Sequence, residues 1–564
     1  MRQDLLRGAR LLSAAVVVCS VAVSASAQTS MGAQPPAAAA SEQASGPVRR
    51  LSINDAVQLA LEHNLDIQVQ RLNPQIQDLN VALARTNWTP QLQSTFSNNS
   101  NLQPVSSVLA GGQNSVSSSQ FGTNVGVSQL LPWGGNYNIA WDSQRSTTDS
   151  IFQSVNPVLQ STLSMTYTQP LLRNFGIDAT RDELLVSRKN REISDAQLRQ
   201  TVVQTVRNVK DAYWNLSYAI SSLKVQRESL DLAKQSLQDN EKRVQIGTMA
   251  PIDIVEAQAE MASREEAVIV AQAAIKQAED QLRTQILDPT TPDFWHIDLI
   301  PTDSPTFRTQ PVDVDAAVRN ALAKRTDIEQ AQKSLEANGI NIRYFRNQLL
   351  PAVNAQVNYG MVGLGGTEFI RGPGLPGPII GQVNQSFGSV LSELLHSNFP
   401  TWTVGVQLDY PLGRSAAQAS LAQARLQDEQ AKVELKNLEL QVAAQVRDAA
   451  RQVNTNIQRV ASARAAEVLS KEKLDAEQKK FTAGMSTNFQ VFQAQRDLAS
   501  ARNDEIQAIL DYNKSVVDFE SVQQAALAGN GGSIVIAGPL TGTSGTSFGS
   551  TTGTTTGTTS GGVQ

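Results

Sequence analysis

The sequence predicts a mixed α/β membrane protein, in which strands of membrane-barrel type are continuous with very long coiled-coil helices and the chain consists of two repeats. Two stretches of 70 residues, 177–246 and 414–483, contain neither Gly nor Pro. At ~1.5 Å per residue, each could extend ~100 Å as a helix, which is wider than a compact domain. Alternating apolar and polar segments precede each stretch, and one pattern of residues occurs twice.

The N-terminus has the features of an export signal. Three arginines among the first ten residues precede an apolar run at 11–23 and the small-residue cleavage site Ala25-Ser26-Ala27. This order predicts a signal peptide over residues 1–27. Acylation of Cys19 as a lipoprotein is the alternative, although Val18 before it is bulkier than such sites favour. Cys19 is the sole cysteine, so an exported mature chain without thiols fits a Gram-negative envelope.

Composition separates both ends of the chain from the fold. Residues 28–50 are rich in Ala, Pro, Ser and Gln and predict a flexible lead, and residues 528–564 predict a disordered Gly/Thr/Ser tail. Between them we expect a first repeat over 51–288, a linker over 289–311 and a second repeat over 312–527.

An internal repeat sets this division. Residues 53–57 correspond to 314–318 at an offset of 261, and Gly247 corresponds to Gly484 at an offset of 237. Each half is expected to run helix, strands, very long helix, tight turn and helix.

A seven-residue apolar period marks the long helices. It comprises Val202, Val209, Leu216, Leu223, Leu230, Leu237 and Val244, then Ile254, Met261, Val268, Ile275 and Leu282 on the returning helix. The second half keeps the period, with Glu467 as its exception. A strict seven-residue stripe indicates left-handed supercoiling. Taken alone, it favours an ordinary coiled-coil stalk.

The turn of each helical hairpin has its own signals. Gly247 suits a left-handed helix end and Pro251 a helix start, which predicts a tip at 247–251. Gly484 followed by N-capping residues at 486–488 predicts a second tip there. The two hairpins should therefore point the same way.

Strands are predicted at about 91–170 and 352–411. Segments such as 402–410 alternate apolar and polar residues and contain aromatic side chains, as membrane β-barrels do. A soluble sandwich has the same pattern. One chain has too few strands to close a wide barrel, so several chains should share it. Whether an extra hairpin near 132–145 joins the barrel is open.

Together these features resemble the TolC-like outer membrane efflux proteins over about residues 50–527. The strand-to-helix corners Thr168–Leu171 and Asp409–Leu412, and the turn motifs that contain Gly247 and Gly484, carry the resemblance. It implies a homotrimer in which each chain gives four strands to a 12-stranded outer-membrane barrel and its helices to a periplasmic tube. It further implies a passive exit duct of a tripartite efflux pump or type I secretion system. An adaptor (membrane fusion) protein, tied to an inner-membrane pump of RND or ABC type, would open the tip.

The resemblance carries site residues over to the tips. The expected adaptor contacts are Arg243, Gly247, Thr248, Asp253, Lys480, Gly484 and Met485. The gate candidates are Asp253, Glu256, Lys479, Lys480, Gln490 and Gln493. Family members often have an acidic constriction at the second tip, where this chain has Gln490 and Gln493. An acidic gate would then come from Asp253 and Glu256, and these charges, with Glu260, would pair with the cations of the other hairpin. The alternative is a solvated helix surface.

Few sequence features indicate catalysis, cofactor or metal binding, or nucleic-acid binding. The three histidines are far apart in sequence, and the G-x-G-x-x-G match at 372–377 lies in a Pro-rich loop without a helix to hold a phosphate. No enzyme activity, cofactor or metal is therefore expected, and a net charge of -5 argues against nucleic acid. A structural coiled-coil envelope protein without a channel, and a periplasmic adaptor, remain as competing classes.

Overall fold

Two helical hairpins of equal dimensions follow from the two Gly/Pro-free stretches. In a computed structural model, the described residues are 48–104, 114–292, 294–305, 307, 312–374, 376–413 and 415–524. Helices α3 (Ala179–Gln245) and α8 (Ala416–Thr482) have 67 residues each, and their returning partners α4 (Ile252–Ile286) and α9 (Asn488–Val522) have 35 each. Equal lengths in both halves are what a duplicated hairpin requires.

Two shorter helices precede the strands of each half. They are α1 (Ile53–His63) and α2 (Leu65–Thr86) in the first half, and α5 (Val314–Lys324) and α6 (Thr326–Gln348) in the second. Ala56 and Ala60 of α1 are buried, as are Ala317 and Ala321 of α5, so the 261-residue offset also relates the packing faces.

The seven-residue stripe is the packing face of the hairpins. Leu223 and Leu230 of α3 are buried with Val268 of α4, and α8 buries Val453 and Val460 against α9. Glu467, the exception in the stripe, accepts a hydrogen bond from Arg502 of α9 at 3.3 Å. Arg502 also reaches Glu228 of α3 at 3.0 Å, and it therefore ties the two hairpins together.

The helices pack side by side, and three of them lie at the two outer sides of the chain. Towards the tips, α3 contacts α4 and α9, and α9 contacts α8. Towards the strands, α2 contacts α3, α3 contacts α6, and α6 contacts α8. One side of the chain is therefore formed by α2 and α4, and the other by α8.

Within the described residues, seven of the strands form one antiparallel sheet. Its members are β2 (Gln91–Pro104), β3 (Ser115–Leu130), β4 (Asn136–Thr148), β5 (Val155–Pro170), β7 (Ala352–Arg371), β8 (Ile379–Gln385) and β9 (Pro400–Asp409). β2, β3, β4, β5 and β7 pair in that order, while β9 and β8 pair with successive parts of the other edge of β7. The sheet thus has six side-by-side positions. Between β8 and β9 lies the short helix α7 (Phe387–Leu395).

The strand count differs from the sequence prediction. Four strands per chain were expected, whereas the sheet has seven strands within the described residues. The extra hairpin, β3 and β4, lies in the middle of the sheet, because β2 pairs along its full length with β3 and β5 pairs with β4. The hairpin turns at Gly134, which has a φ of 91°.

The last residues of the predicted lead form a strand. Val48–Leu51 form strand β1, which pairs in parallel with β6 (Asp298–Pro301) from the predicted linker. Residues 1–47, which include the predicted signal peptide, and the predicted tail at 528–564 lie outside the described residues. Within the described part of the chain, no helix is both long enough and apolar enough to span a membrane.

Candidate functional site at the hairpin tips and the sheet

The first tip is a tight left-handed turn. Gly247 has a φ of 77°, its amide donates to the Val244 carbonyl at 3.0 Å, and the Thr248 amide donates to the Arg243 carbonyl at 2.9 Å. These two bonds form a Schellman-type helix end, which satisfies carbonyls that α3 would otherwise leave free. Pro251 then directly precedes α4, where its fixed φ suits a helix start.

The second tip has the same turn geometry, but one prediction about the helix start that follows it is wrong. Gly484 has a φ of 76°, its amide donates to Phe481, and the Met485 amide donates to Lys480 at 2.8 Å. Thr487 is the N-cap residue of α9, but its side chain makes no capping bond. The Ser486 hydroxyl donates instead to Glu477 at 2.8 Å, so the predicted side-chain capping by this cluster is wrong.

Open space surrounds both glycines. A β-carbon on Gly247 or Gly484 would have no atom within 4 Å other than those of the glycine and its two neighbours in the chain. The glycines are therefore required by the backbone conformation alone, and the turns leave room for another protein to approach.

Exposed apolar side chains surround the tips, and sequence reasoning identified only one of them. Met485 was predicted as a contact residue and is 75% exposed. Ile246, Ile252, Val255 and Phe489 are also exposed and were missed. They follow no periodic pattern, and only their position beside the two turns could have indicated them. An apolar cluster at an exposed end is typical of a protein-interaction surface.

Within one chain, the gate candidates Asp253, Glu256, Lys479 and Lys480 do not pair across the hairpins, whereas Glu260 does. Lys480 pairs with Glu477 of its own helix at 2.6 Å. Asp253, Glu256 and Lys479 make no ion pair among the described residues. The Arg243 guanidinium lies 4.6 Å from the centre of the Phe481 ring, and this contact joins the ends of α3 and α8.

The two gate glutamines have different surroundings. Gln493 donates to Asp497 on its own helix at 2.8 Å, and Gln490 is exposed. Among the described residues, neither glutamine forms a hydrogen bond to the first hairpin.

Glu260 makes one of the charged contacts between the hairpins. Its carboxylate, on α4, is buried and accepts hydrogen bonds from Arg264 at 2.7 Å and from Arg496 of α9 at 3.0 Å. Burial acts to raise the pKa of Glu260, but the hydrogen bonds and positive charges of Arg496 and Arg264 outweigh it and hold the pKa below its ordinary value. Glu260 is therefore ionised at neutral pH and links α4 to α9.

The sheet has one apolar and one polar face. One row across all six positions is apolar, and it consists of Leu92, Val127, Ile139, Met165, Tyr359 and Trp402. A second row, on the opposite face, is polar, and it consists of Gln91, Ser128, Asn138, Thr166, Asn358 and Thr403. Such faces suit lipid on one side and water on the other.

The polar face contains a cleft lined by Thr95, Asn124, Asp142 and neighbouring side chains. Gln120, Gln144 and Gln160 form a hydrogen-bonded ladder along this face, with a distance of 2.7 Å from Gln144 to Gln160. A polar, hydrogen-bonded surface of this kind suits contact with water.

Both sides of the chain expose apolar helix surface and a strand edge that has no partner within the described residues. Helix α2 exposes Val69, Leu72, Ile76, Leu79 and Leu83, and α8 exposes Leu426, Val433 and Leu440. In the sheet, β2 is exposed along its whole length and β9 along nearly all of its length. These strands and helices can be covered by further copies of the chain.

Chemical groups for catalysis or metal binding are not assembled in the part of the chain that the structure describes. No group of three potential metal ligands occurs there. His63 ends α1, His296 follows α4, and His396 follows α7, and these are separate places in the fold.

These features define a class: a two-repeat protein with a domain of long helical hairpins and a β domain, whose two sides further copies of the chain can cover. The sequence profile described as "Outer membrane efflux protein" matches residues 141–286 and 317–523, one match in each half. The chain belongs to the outer membrane efflux protein family. The predicted resemblance and the predicted two-repeat fold are therefore confirmed.

Solved structures agree on the fold. The outer membrane channel CmeC of Campylobacter jejuni is 15% identical with a TM-score of 0.58, over 84% of this chain and 85% of that one. VceC of Vibrio cholerae is 14% identical with a TM-score of 0.57, over 84% and 96%. MtrE of Neisseria gonorrhoeae, solved in an open state, is 17% identical with a TM-score of 0.56, over 84% and 89%. A comparison with curated protein sequences finds no match.

Proposed function

We propose that three copies of this chain form a passive exit duct across the outer membrane of a Gram-negative bacterium, with the helices extending into the periplasm. The duct would serve a tripartite efflux pump or a type I secretion system. The observation that carries the proposal is that each side of the chain exposes an apolar helix stripe and an unpaired strand edge. The exposed groups of the two sides are of the same kind and lie at overlapping distances from the sheet.

The exposed apolar stripes of the two helical sides overlap in their distance from the sheet. The stripe of α2, from Val69 to Leu83, lies 3 to 17 residues from the sheet end of that helix at Thr86. The stripe of α8, from Leu426 to Leu440, lies 10 to 24 residues from its start at Ala416. Placed together, the α2 stripe of one copy would bury the α8 stripe of the next. This contact is heterologous, and such contacts close into a ring when the rotation between successive copies closes.

The strand sides also match. Successive positions of the sheet run antiparallel, and there are six of them, so β9 of one copy would meet β2 of the next copy in antiparallel orientation. Pairing these edges removes the free backbone groups that lipid does not tolerate. Three copies would then contribute 3 × 6 = 18 strand positions to one barrel.

The tips would form the regulated end of the duct. An adaptor protein would bind the turns at Gly247 and Gly484 together with the exposed apolar side chains around Met485. Glu260 and Arg496 would hold the hairpins of one chain together in the closed state. Asp253 and Glu256 form no ion pair within the described part of the chain, and they would pair with Lys479 of the neighbouring copy.

Assembly can be tested on the α2 stripe. The double variant Leu72→Glu with Leu79→Glu would place charges in the contact with α8, and we expect loss of the trimer and of ion conductance in planar bilayers. The control, Gln75→Glu with Ala82→Glu, has the same spacing at exposed positions of α2 on the flank of the stripe and should keep both. An intact, conducting trimer in the Leu72/Leu79 variant would contradict the proposed interface. A helical wild-type protein that never conducts would favour the structural coiled-coil alternative.

A further inference from the structure

The short helix α7 is packed on the apolar face of the sheet. Its side chains Val390 and Leu394 are 0% and 3% exposed. Val390 lies against Gly363 and Gly365 of β7, and a β-carbon on either glycine would collide with it. Ser161, which pairs with Gly363 in the neighbouring strand, is fully buried. The strands thus provide a seat of small residues for this helix.

Half of the apolar arc of α7 remains uncovered. Phe387, Leu391 and Leu395 recur every four residues along one stripe beside the buried pair, and Leu395 is 73% exposed. The polar residues Ser389, Ser392 and Glu393 occupy the remaining arc. This division into an apolar arc and a polar arc is typical of helices that lie in the plane of a membrane interface.

The exposed stripe extends the apolar face of the sheet. On β7 and β9, the apolar side chains of that face run from the pair Val353–Leu408 to Met361, and the next residue on the same face is Gly363. Eight residues at ~3.3 Å each, tilted by ~40°, give an apolar height of ~20 Å, against ~25 Å for a typical barrel. Helix α7 begins where the strand side chains become small, at the end of the sheet away from the long helices.

We propose that α7 lies at the water interface of the outer leaflet, with Phe387, Leu391 and Leu395 against the acyl chains of lipid. The inference rests on the proposed function, which sets the apolar face of the sheet against the membrane. It assigns to α7 a lipid-binding surface that completes the apolar band of the barrel. The polar arc of the helix then faces water and headgroups.

Single cysteines can test this, because Cys19 is the sole cysteine and lies in the predicted signal peptide. Leu391→Cys and Leu395→Cys in the full-length protein would be labelled with bimane and reconstituted in phosphatidylcholine vesicles brominated near the middle of the acyl chains. Val404→Cys, on the apolar face of β9, is the reference for lipid contact. Ser392→Cys on the polar arc and Gln144→Cys on the polar face are the controls.

The labels at Leu391 and Leu395 should lose fluorescence to a degree comparable with the label at Val404, while those at Ser392 and Gln144 should keep theirs. Quenching at Val404 without quenching at Leu391 and Leu395 would overturn the inference, because another protein surface or water would then cover α7, and the proposed function would stand. Absence of quenching at Val404 as well would contradict the proposed orientation of the sheet and the inference with it.

Discussion

At the scale of single residues, the contact between Glu260 of the first hairpin and Arg496 of the second depends on the charge of Glu260. Glu260→Gln removes the charge but keeps the shape, and we expect a higher open fraction of the channel. Removing the charge from these hydrogen bonds destabilises the closed tip by about 1–3 kcal/mol per chain. A change of about 1.4 kcal/mol already shifts the equilibrium between the closed and the open channel tenfold. The check is single-channel recording at low salt. Glu266→Gln, on an exposed part of the same helix, is the control, and equal open fractions in both variants would mean that other contacts close the tip.

The same residue predicts a pH dependence. The pKa of Glu260 lies below its ordinary value of 4.5 in the folded chain, so its contribution to closure is present above about pH 4.5 and is lost as the pH falls through the lowered pKa. Wild-type leak should therefore rise only in acid, and Glu260→Gln should lack this rise.

The two tip glycines are conformational residues. Alanine at Gly247 or Gly484 has space for its methyl group but must adopt a positive φ, which costs about 1–2 kcal/mol. We expect the trimer to survive and export to fall, because the turn that the adaptor contacts is distorted. Export is measured as drug resistance in a strain that depends on this protein and its own adaptor and pump.

Gly339 provides the matched control for these variants. A β-carbon there would also meet no other atom within 4 Å, but Gly339 lies inside α6 without a positive φ. Alanine there should stabilise the helix by up to about 1 kcal/mol. Unchanged export in the Gly247 and Gly484 variants, singly and together, would remove the turns from the adaptor site.

At the scale of elements, the β3–β4 hairpin sets the width of the sheet. β2 and β5 run antiparallel, and Leu92 and Met165 lie in the same apolar row, so the two strands could pair directly without exchanging their faces. Deletion of residues 115–154 should therefore leave a folded sheet with four positions per chain. The barrel diameter should fall by about a third, since diameter grows roughly in proportion to strand number. Electron microscopy of the purified trimer measures this, and an unchanged diameter would place the hairpin outside the barrel.

Sequence patterns predicted some elements well and missed others for physical reasons. The long helices follow from the absence of Gly and Pro, and the turns from two glycines that have the required positive φ. Helix α7 was missed because nine residues are too few to separate a helix from the alternating strands around it. The Glu260–Arg496 contact was missed because spacing along one helix does not indicate which residue of another helix lies opposite. The six positions of the sheet depend on which strands pair, and alternation alone does not specify pairing.

At the scale of the whole molecule, we expect copies of this chain to close into a ring, because each side exposes an apolar helix stripe and an unpaired strand edge. Electron cryomicroscopy of the full-length protein in lipid nanodiscs tests it most directly. We expect three chains, a barrel of eighteen strand positions with β2 of each chain paired to β9 of the next, and the α2 stripe buried on the neighbouring α8. A particle in which β2 and β9 keep free edges, or in which Leu72 and Leu79 face solvent, would contradict it.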